Sequence, residues 1–191
     1  MNTYFIRHTN GMWIDDETRR RLWNSRRIAI HFGRHHTVKK MSRDCTSINP
    51  EDYRRSGRKC VRILRELADA GGFVCAQHAG HDEWMVGCVR PRSKIELFKG
   101  KWRDDCEFHG QIAVLKTLRL TEVKLVNPLD YAVLAVGRPR QGTIMQWHLA
   151  GRTIAGLVEG RRSKTQLSDL IPPQQEIFCS EFLSRRPCPL S

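Results

Sequence analysis

The stretch NPEDYRRSGRKCVRILRELADAGG, residues 49–72, predicts the longest helix of the chain. Asn49 is a favourable helix cap, Pro50 suits the first helical position, and two carboxylates follow. Gly71 and Gly72 are of the residue type that ends helices. Between these limits, apolar or small residues recur at helical spacing, namely Tyr53, Gly57, Cys60, Val61, Leu64, Leu67 and Ala68. We therefore expect an amphipathic helix with one buried face.

Two strand-like segments follow this helix. The run FVCAQH covers residues 73–78, and the run EWMVGCVR covers residues 83–90. Both contain the valine and aromatic residues that favour strands, and only residues 79–82, AGHD, separate them. We expect two neighbouring strands joined by a tight turn.

The residues before the long helix indicate a strand, a helix and a second strand. Residues 4–8 form the first strand, which the turn pair Asn10-Gly11 interrupts. Residues 15–24 begin with three acidic residues, as helices often do, and residues 27–32 form the second strand. Residues 33–49 are polar, basic and without a repeating pattern, so we expect a surface loop with a function.

The second half of the chain is rich in strand-like runs. They cover residues 94–99 and 112–126, and residues 131–136 fit either another strand or a short helix. After Pro172-Pro173 we expect a closing helix, whose buried side would carry Ile177, Phe178 and Phe182. This order of elements predicts an α+β fold in one domain, residues 1–191. Its mixed or antiparallel sheet is expected to curl into a small half-open barrel.

The charge of the chain favours a polyanionic partner. The 33 lysines and arginines outnumber the 20 acidic residues, which gives a net charge of +13 and a pI near 9.9. The basic residues form clusters along the whole chain, so a folded face carries the charge, and such a field attracts nucleic acid. An acidic protein or an anionic membrane surface is the alternative partner.

Composition also bears on the compartment. No run of 18 apolar residues occurs, and the first residues lack the apolar segment of a secretory signal. The seven cysteines are an odd number without a C-x-x-C pair, which fits neither a disulfide framework nor a zinc ribbon. We expect a cytoplasmic protein that does not associate with membranes.

The order of elements resembles that of the PUA-like superfamily. It comprises a short strand, a helix, a second strand ending in glycine, a long helix ending in Gly71-Gly72, and the strand WMVGCV at residues 84–89. Within the superfamily, the chain is most similar to the EVE and YTH-type domains. The resemblance covers residues 1–136, and residues 137–191 form a basic loop and a C-terminal helical extension. It implies a small curled β-barrel with flanking helices that binds nucleic acid and takes a modified, flipped base into an aromatic pocket.

The least generic stretch is GRPRQGTIMQW, residues 137–147. Its two glycines and proline shape a loop whose arginines and amides are suited to holding a phosphate. A glutamine in the loop matches the edge of a base, and a tryptophan offers a stacking face. The predicted nucleic-acid contacts of this loop are Arg138, Arg140, Gln141, Thr143 and Trp147. The alternative is a basic surface turn followed by a buried tryptophan.

Aromatic side chains offer further base contacts. Trp13 and Trp102 lie beside turns and basic residues and are candidates for stacking on a base, whereas Trp23 and Trp84 lie in regular elements and are expected to be structural. The end of the second strand and the turn around Trp13 are expected to form one pocket with the basic loop. The predicted contacts outside the loop are Arg7, Trp13, His31, Arg34 and Trp102.

Metal and cofactor chemistry has weaker signals. His78 and His81 flank a turn, but neither they nor the cysteines have the spacing of a known zinc site. We therefore expect no metal site and no cofactor.

A short acidic pattern leaves a nuclease as the alternative function. Glu122 and Lys124 in one strand, with Asp105 upstream, fit an arrangement in which carboxylates hold Mg²⁺ and a lysine polarises the scissile phosphate. Glu122 and Lys124 also fall on the polar side of an alternating strand, which needs no catalytic reason. Binding without catalysis is the expected function. A nuclease is the first alternative, and a basic adaptor for an acidic protein is the second.

Overall fold

A computed structural model describes residues 1–8, 12–32, 46–106, 109–140, 142–161 and 165–184. Within these ranges the chain has five α-helices and eight β-strands, which are divided between two sheets. The predicted α+β class is confirmed. Strand pairing closes neither sheet into a barrel within the described ranges.

The strands and helices follow one another from the first residues to the C-terminal region. The strands are β1 Thr3–Arg7, β2 Arg27–Ile30, β3 Gly72–Gln77, β4 Trp84–Val89, β5 Glu96–Lys101, β6 Ile112–Arg119, β7 Thr121–Leu125 and β8 Ile144–Gln146. The α-helices are α1 Asp16–Asn24, α2 Arg55–Ala70, α3 Pro128–Val136, α4 Gly151–Glu159 and α5 Pro172–Ser184.

The larger sheet has five strands in the order β7-β4-β3-β1-β8, and the smaller has the order β2-β6-β5. Strands β1 and β3 run parallel, while all the other pairs are antiparallel. The predicted neighbours β3 and β4 do pair, from Gly72 opposite Val89 to Gln77 opposite Trp84. The expectation of mixed or antiparallel sheets is therefore confirmed.

Helix α2 is the predicted long helix, but it starts later than its cap suggested. The side chain of Asn49 caps a short 3-10 turn, Pro50–Asp52, by accepting from the backbone N–H of Glu51. The α-helix begins at Arg55. Its buried face contains the expected residues at helical spacing, including Cys60, Val61, Leu64, Leu67 and Ala68.

Three apolar clusters hold the elements together. The largest lies between α2 and facing residues of both sheets, such as Ile6 on β1 and Leu118 on β6. A second lies on the opposite face of the larger sheet, beneath α3 and α4. The third lies beneath α1, against the smaller sheet. A Cβ at Gly100 of β5 would lie 2.3 Å from Cγ2 of Thr18, so α1 approaches β5 this closely only because position 100 is glycine.

The long run predicted at residues 112–126 divides into β6 and β7. Pairing of β4 with β7 shifts register, because Val86 lies opposite Lys124 and Cys88 lies opposite Thr121. Such an extra residue in one strand is a β-bulge. Glu122 has a φ of 53°, in the left-handed region. Gly87 lies opposite the bulge, where a Cβ would be 3.0 Å from the carbonyl oxygen of Thr121.

The segment after residue 136 is part of the main fold. Residues 131–136, which fitted either a strand or a helix, belong to α3, whose cap is Asn127. Strand β8 pairs with β1 and helix α4 packs beneath the larger sheet, although the sequence indicated neither element. The predicted closing helix is α5, and it packs on α3. No helix in the described residues has the length and apolar composition that crossing a membrane requires.

Candidate nucleic-acid interface

The parallel strands β1 and β3 finish at the same end of the larger sheet, and a histidine follows each strand. His8 follows β1 and His78 follows β3. The backbone N–H of His8 donates to the carbonyl of Gln77 at 2.7 Å. The two imidazole rings meet edge to face, with 4.2 Å between their centroids. Both side chains are buried.

These two imidazoles join the larger sheet to the smaller one. Strand β2 pairs with β6 along one edge and stands at the end of its sheet. On the other edge, the backbone N–H of Ala29 donates to Nε2 of His8 at 2.9 Å. Nε2 of His78 lies 3.1 Å from the carbonyl oxygen of Arg27, and it carries the hydrogen because a carbonyl only accepts. Side chains therefore satisfy backbone groups that an edge strand would otherwise leave unpaired.

The environment keeps both histidines neutral. Burial, and then the neighbouring His78, hold the pKa of His8 well below its usual range. Burial lowers the pKa of His78 to about 4, against the opposing effect of its hydrogen bond to Arg27. A neutral His8 leaves Nε2 free to accept from Ala29, so the low pKa and the hydrogen bond depend on each other.

A small cavity adjoins the two histidines. Its volume is about 10 Å³, enough for about one water molecule. The lining residues are His8, Met12, Ile14, Arg19, Leu22, His78 and Ala79. Nη1 of Arg19 binds Asp16 at 2.9 Å. Nη2 of Arg19 and Nδ1 of His78 are buried and have no hydrogen-bond partner among the described residues, so the cavity is polar on these sides.

A second pair of rings lies beside this cavity. Trp23 of α1 stacks on His81, with 4.0 Å between the ring centroids and an interplanar angle of 7°. The ring of Trp23 also meets His78 edge to face at 5.2 Å. Partial burial lowers the pKa of His81, while Glu83 and Asp82 oppose the change. His81 thus covers one face of the Trp23 indole. Trp84 is buried, which agrees with the structural role predicted for it.

Trp13 differs from the other tryptophans because it is exposed. Its side chain is 48% accessible, and its φ of 51° lies in the left-handed region. The guanidinium of Arg103 lies 5.7 Å from the centre of the indole. The backbone N–H of Arg103 donates to the carbonyl of Trp13 at 2.7 Å, which fixes the two residues together. An exposed ring with an adjacent cation suits the face of a base.

Trp102 and His31 form the buried side of this region. Trp102 forms an isolated β-bridge with Ile14, next to Trp13, and is only 8% exposed. The ring of His31 meets that of Trp102 edge to face at 4.6 Å. Trp102 therefore acts as a wall of the region, with little surface left for stacking on a base. Arg34, predicted to lie beside His31, is outside the described residues.

The side chain of Arg7 binds the backbone of the basic loop and is only partly exposed to solvent. Its Nη2 donates to the carbonyl of Pro139 at 2.7 Å, and its Nη1 donates to the carbonyl of Arg140 at 3.0 Å. Its backbone N–H donates to the carbonyl of Thr143. Partial burial, with a smaller effect from Arg138, lowers the pKa of Arg7. The predicted contacts Arg7 and Thr143 thus position the loop through hydrogen bonds.

The outer arginines of the loop are available to a ligand. Arg138 and Arg140 are exposed, and neither forms an ion pair within the described parts of the chain. Both side chains belong to a segment that is held by Arg7, which donates to two of its backbone carbonyls. Gln141, predicted to read a base edge, is outside the described residues.

Trp147 does not belong to this end of the sheet. It is 4% exposed, and its ring meets that of Phe5 at 5.3 Å in the cluster beneath α4. Its backbone N–H donates to the carbonyl of Thr3, because β8 runs antiparallel to β1. Trp147 therefore lies beside the start of β1, whereas Arg7 lies at its end. The alternative of a buried tryptophan after a basic turn agrees with this position.

Two of the three residues of the nuclease alternative bind other groups of the protein. Both carboxylate oxygens of Asp105 bind Arg103, after the last residue of β5 in the smaller sheet. Glu122 lies in the bulge of β7 in the larger sheet, and Nζ of Lys124 donates to the carbonyl of Leu157 at 2.9 Å. Among the described residues, no three His, Cys, Asp or Glu side chains form a possible metal site. The observed contacts therefore give no support to a metal-dependent nuclease.

Comparison with known proteins adds no further guidance. No family model, no curated protein and no solved structure matches this chain.

Sequence reasoning did not find the histidine pair or the role of Arg19. His8 stands at the end of a predicted strand, and nothing in the residues around it indicates a bond to Ala29, 21 positions away. His78 is expected from the sequence to end a strand beside a turn and lacks the spacing of a zinc ligand, and nothing there predicts that its Nε2 bonds to a backbone carbonyl. The two apolar residues of α1, Leu22 and Trp23, carry no sign that Arg19 turns toward a cavity.

Proposed function

We propose that this chain is a nucleic-acid-binding domain, in which Trp13 stacks on a base and the arginines of the 138–140 loop contact phosphates. The observation that carries the proposal is the exposed indole of Trp13 beside Arg103. A bulky residue in the left-handed region costs on the order of 1–3 kcal/mol, and such strain is concentrated at functional sites. An exposed indole contributes little to folding, so base stacking accounts for both features.

The surrounding charge supports a polyanion as the ligand. Arg138 and Arg140 expose two cations on the loop that Arg7 holds, and the guanidinium of Arg103, paired with Asp105, lies beside the indole. The chain as a whole carries a net charge of +13. Stacking on an aromatic ring contributes about 1–3 kcal/mol per base, and nearby cations add phosphate contacts. Rings and cations together favour nucleic acid over an acidic protein, which would need no stacking face.

We further propose a PUA-like architecture that takes up a modified or flipped base. His8 and His78 join the two described sheets through hydrogen bonds. This supports an arrangement in which the sheets curl around the largest apolar cluster, which contains the buried face of α2. A flipped base requires an aromatic face and a polar edge near it. Trp13 supplies the face, and the neighbouring His31 and Trp102 form the adjacent wall.

Substitution of Trp13 tests the stacking proposal. We expect Trp13→Ala to weaken binding of a fluorescently labelled oligonucleotide about 5- to 150-fold, the equivalent of one lost base stack. Trp13→Phe should keep part of the affinity, since a smaller ring still stacks. Fluorescence anisotropy titrations of a single-stranded oligonucleotide measure the change.

Leu149→Ala is the matched control, because Leu149 is also a large exposed apolar side chain, 92% accessible. An oligonucleotide with abasic positions should bind the wild-type protein and Trp13→Ala equally. If Trp13→Ala binds the normal oligonucleotide as tightly as Leu149→Ala does, the stacking proposal is wrong.

A further inference from the structure

Helix α2 presents a basic face that is separate from the region of Trp13. Its buried side packs into the largest apolar cluster, and the opposite side is exposed to solvent. The exposed residues of the helix are Arg55, Ser56, Arg58, Lys59, Arg62, Arg65, Glu66, Asp69 and Ala70. Five of these nine are cations, and they cover the first eleven positions of the helix. The α2 face, defined by these exposed residues, is therefore strongly positive.

Acidic neighbours do not neutralise the α2 face. Arg58 pairs with Glu51 at 3.3 Å, and both side chains are exposed. Arg62 pairs with Glu66 at 3.8 Å, again in solvent. Exposed pairs of this kind contribute little, because water and salt screen them. Across the ranges that the structure describes, Arg55, Lys59 and Arg65 form no ion pair.

The direction of charge along α2 opposes the helix dipole. Its first turn holds arginines and no acidic residue, and its last turn holds no basic residue. Helix α1 has the opposite and favourable arrangement, with Asp16 and Glu17 in its first turn and Arg21 in its last. Cations at a helix N-terminus are unfavourable for the helix itself. The first-turn arginines of α2 therefore do not serve the stability of the helix, which favours a role in binding.

The chemistry of the α2 face selects the form of its ligand. It exposes cations and small or acidic residues but no aromatic ring. Surfaces for single strands combine cations with rings on which unpaired bases stack. A duplex keeps its bases stacked and displays phosphates along its length, with one charge per about 1.7 Å of axis. From Arg55 to Arg65 the helix rises about 15 Å, enough to contact several phosphates.

We infer that the α2 face contacts the phosphate backbone of a double-stranded nucleic acid. This inference rests on the proposed function, to which it adds a contact surface and a ligand form. The contacts of the α2 face are electrostatic and independent of the base sequence, since contacts to the nucleic-acid backbone position a protein without reading bases. Base recognition at Trp13 and backbone contact at α2 are then separable by substitution.

The test removes the three cations that have no ion pair. In the triple variant Arg55→Gln, Lys59→Gln, Arg65→Gln, glutamine keeps a good helix propensity while removing the charge. On a labelled duplex, the slope of log affinity against log salt should fall by about 2.7, or about 0.9 per lost phosphate contact. A fourfold rise in salt would then weaken the variant roughly 40-fold less than the wild type. Its melting temperature should equal or exceed that of the wild type, because Arg55 opposes the dipole in the first turn and none of the three forms an ion pair in the described residues.

Two control variants make the result specific. Arg90→Gln, Lys94→Gln, Arg152→Gln removes the same charge from exposed positions on other elements and should change the slope by less than about one contact. Arg55→Lys, Lys59→Arg, Arg65→Lys keeps the charge and should keep the wild-type slope, so it separates charge from any defect in folding.

The outcomes distinguish this inference from the proposed function. If the two neutralised variants lose the same slope, the α2 face has no special role and the inference is wrong. An equal loss on a single strand of the same sequence would overturn the assignment to duplex. Either result leaves the Trp13 test standing, whereas a wild-type protein that binds neither duplex nor single strand overturns both proposals.

Discussion

Acidification should destabilise this protein through His78. The pKa of His78 is about 4 in the folded protein, compared with about 6.5 in an unfolded chain. Between these two values the unfolded chain binds more protons than the folded protein does. By linkage, the contribution of His78 to stability is intact above pH 6.5 and decreases as the pH falls toward 4.

The expected magnitude follows from the width of that window. Each pH unit inside it costs about 1.4 kcal/mol, so acidification from neutral pH to pH 5 should remove about 2 kcal/mol of unfolding free energy. His8 acts in the same direction, because burial also lowers its pKa. Protonation of His8 would in addition remove the acceptor for the N–H of Ala29. The two sheets would then lose a hydrogen bond at their junction.

Urea unfolding, followed by tryptophan fluorescence at a series of pH values, measures this effect. If the free energy of unfolding falls by about 2 kcal/mol per molar urea, the His78 contribution alone should lower the midpoint by about 1 M between neutral pH and pH 5. His78→Gln retains an amide that can donate to the carbonyl of Arg27 but does not titrate, so the contribution of His78, about 2 kcal/mol at pH 5, should disappear while that of His8 remains. His148→Gln, at an exposed position, is the control and should leave the dependence unchanged. If His78→Gln and the wild type lose stability in parallel, the reasoning about the histidine pair is refuted.

Two further predictions concern glycine and a strained residue. Gly100→Ala should destabilise the fold by about 1–3 kcal/mol, because the new Cβ would lie 2.3 Å from Cγ2 of Thr18 and push α1 off β5. Chemical denaturation checks this, and Gly137→Ala is the control, because neither glycine has a positive φ and a Cβ at Gly137 meets nothing within 4 Å. Glu122→Gly should stabilise the protein or leave it unchanged, because glycine accepts the φ of 53° at the bulge. The same variant should bind nucleic acid normally, and a loss of Mg²⁺-dependent cleavage would instead revive the nuclease alternative.

The elements that sequence reasoning located are those whose signals are local. Helix α2 has its apolar residues at helical spacing and ends at Gly71, as predicted. Strands β3 and β4 lie on either side of a short turn and pair with each other. Strand β8 and helix α4 were missed. The three residues of β8 are strand because they lie beside β1, since so short a segment has no stable structure alone.

The candidate site was only partly accessible to the same reasoning. Trp13 was distinguished from the structural tryptophans by its position beside a turn, and it is exposed. Arg7 and Trp147 were both assigned to ligand contact from their chemistry. In the structure, the guanidinium of Arg7 donates to the carbonyls of Pro139 and Arg140, and Trp147 is buried against Phe5. A side chain's type shows what it is able to bind, but its neighbours decide whether a ligand reaches it.

The sequence by itself determined the basic character of the chain, the α+β class and the position of α2, because charge, periodicity and capping are properties of neighbouring residues. Only the tertiary structure decided the junction of the two sheets and the position of the basic loop. Those depend on contacts between residues far apart in the chain, 51 positions for His78 and Arg27 and 132 for Arg7 and Pro139. Such contacts exist only after the strands have paired. Strand pairing leaves some backbone N–H and C=O groups without a backbone partner, and no local sequence pattern shows which side chain binds them.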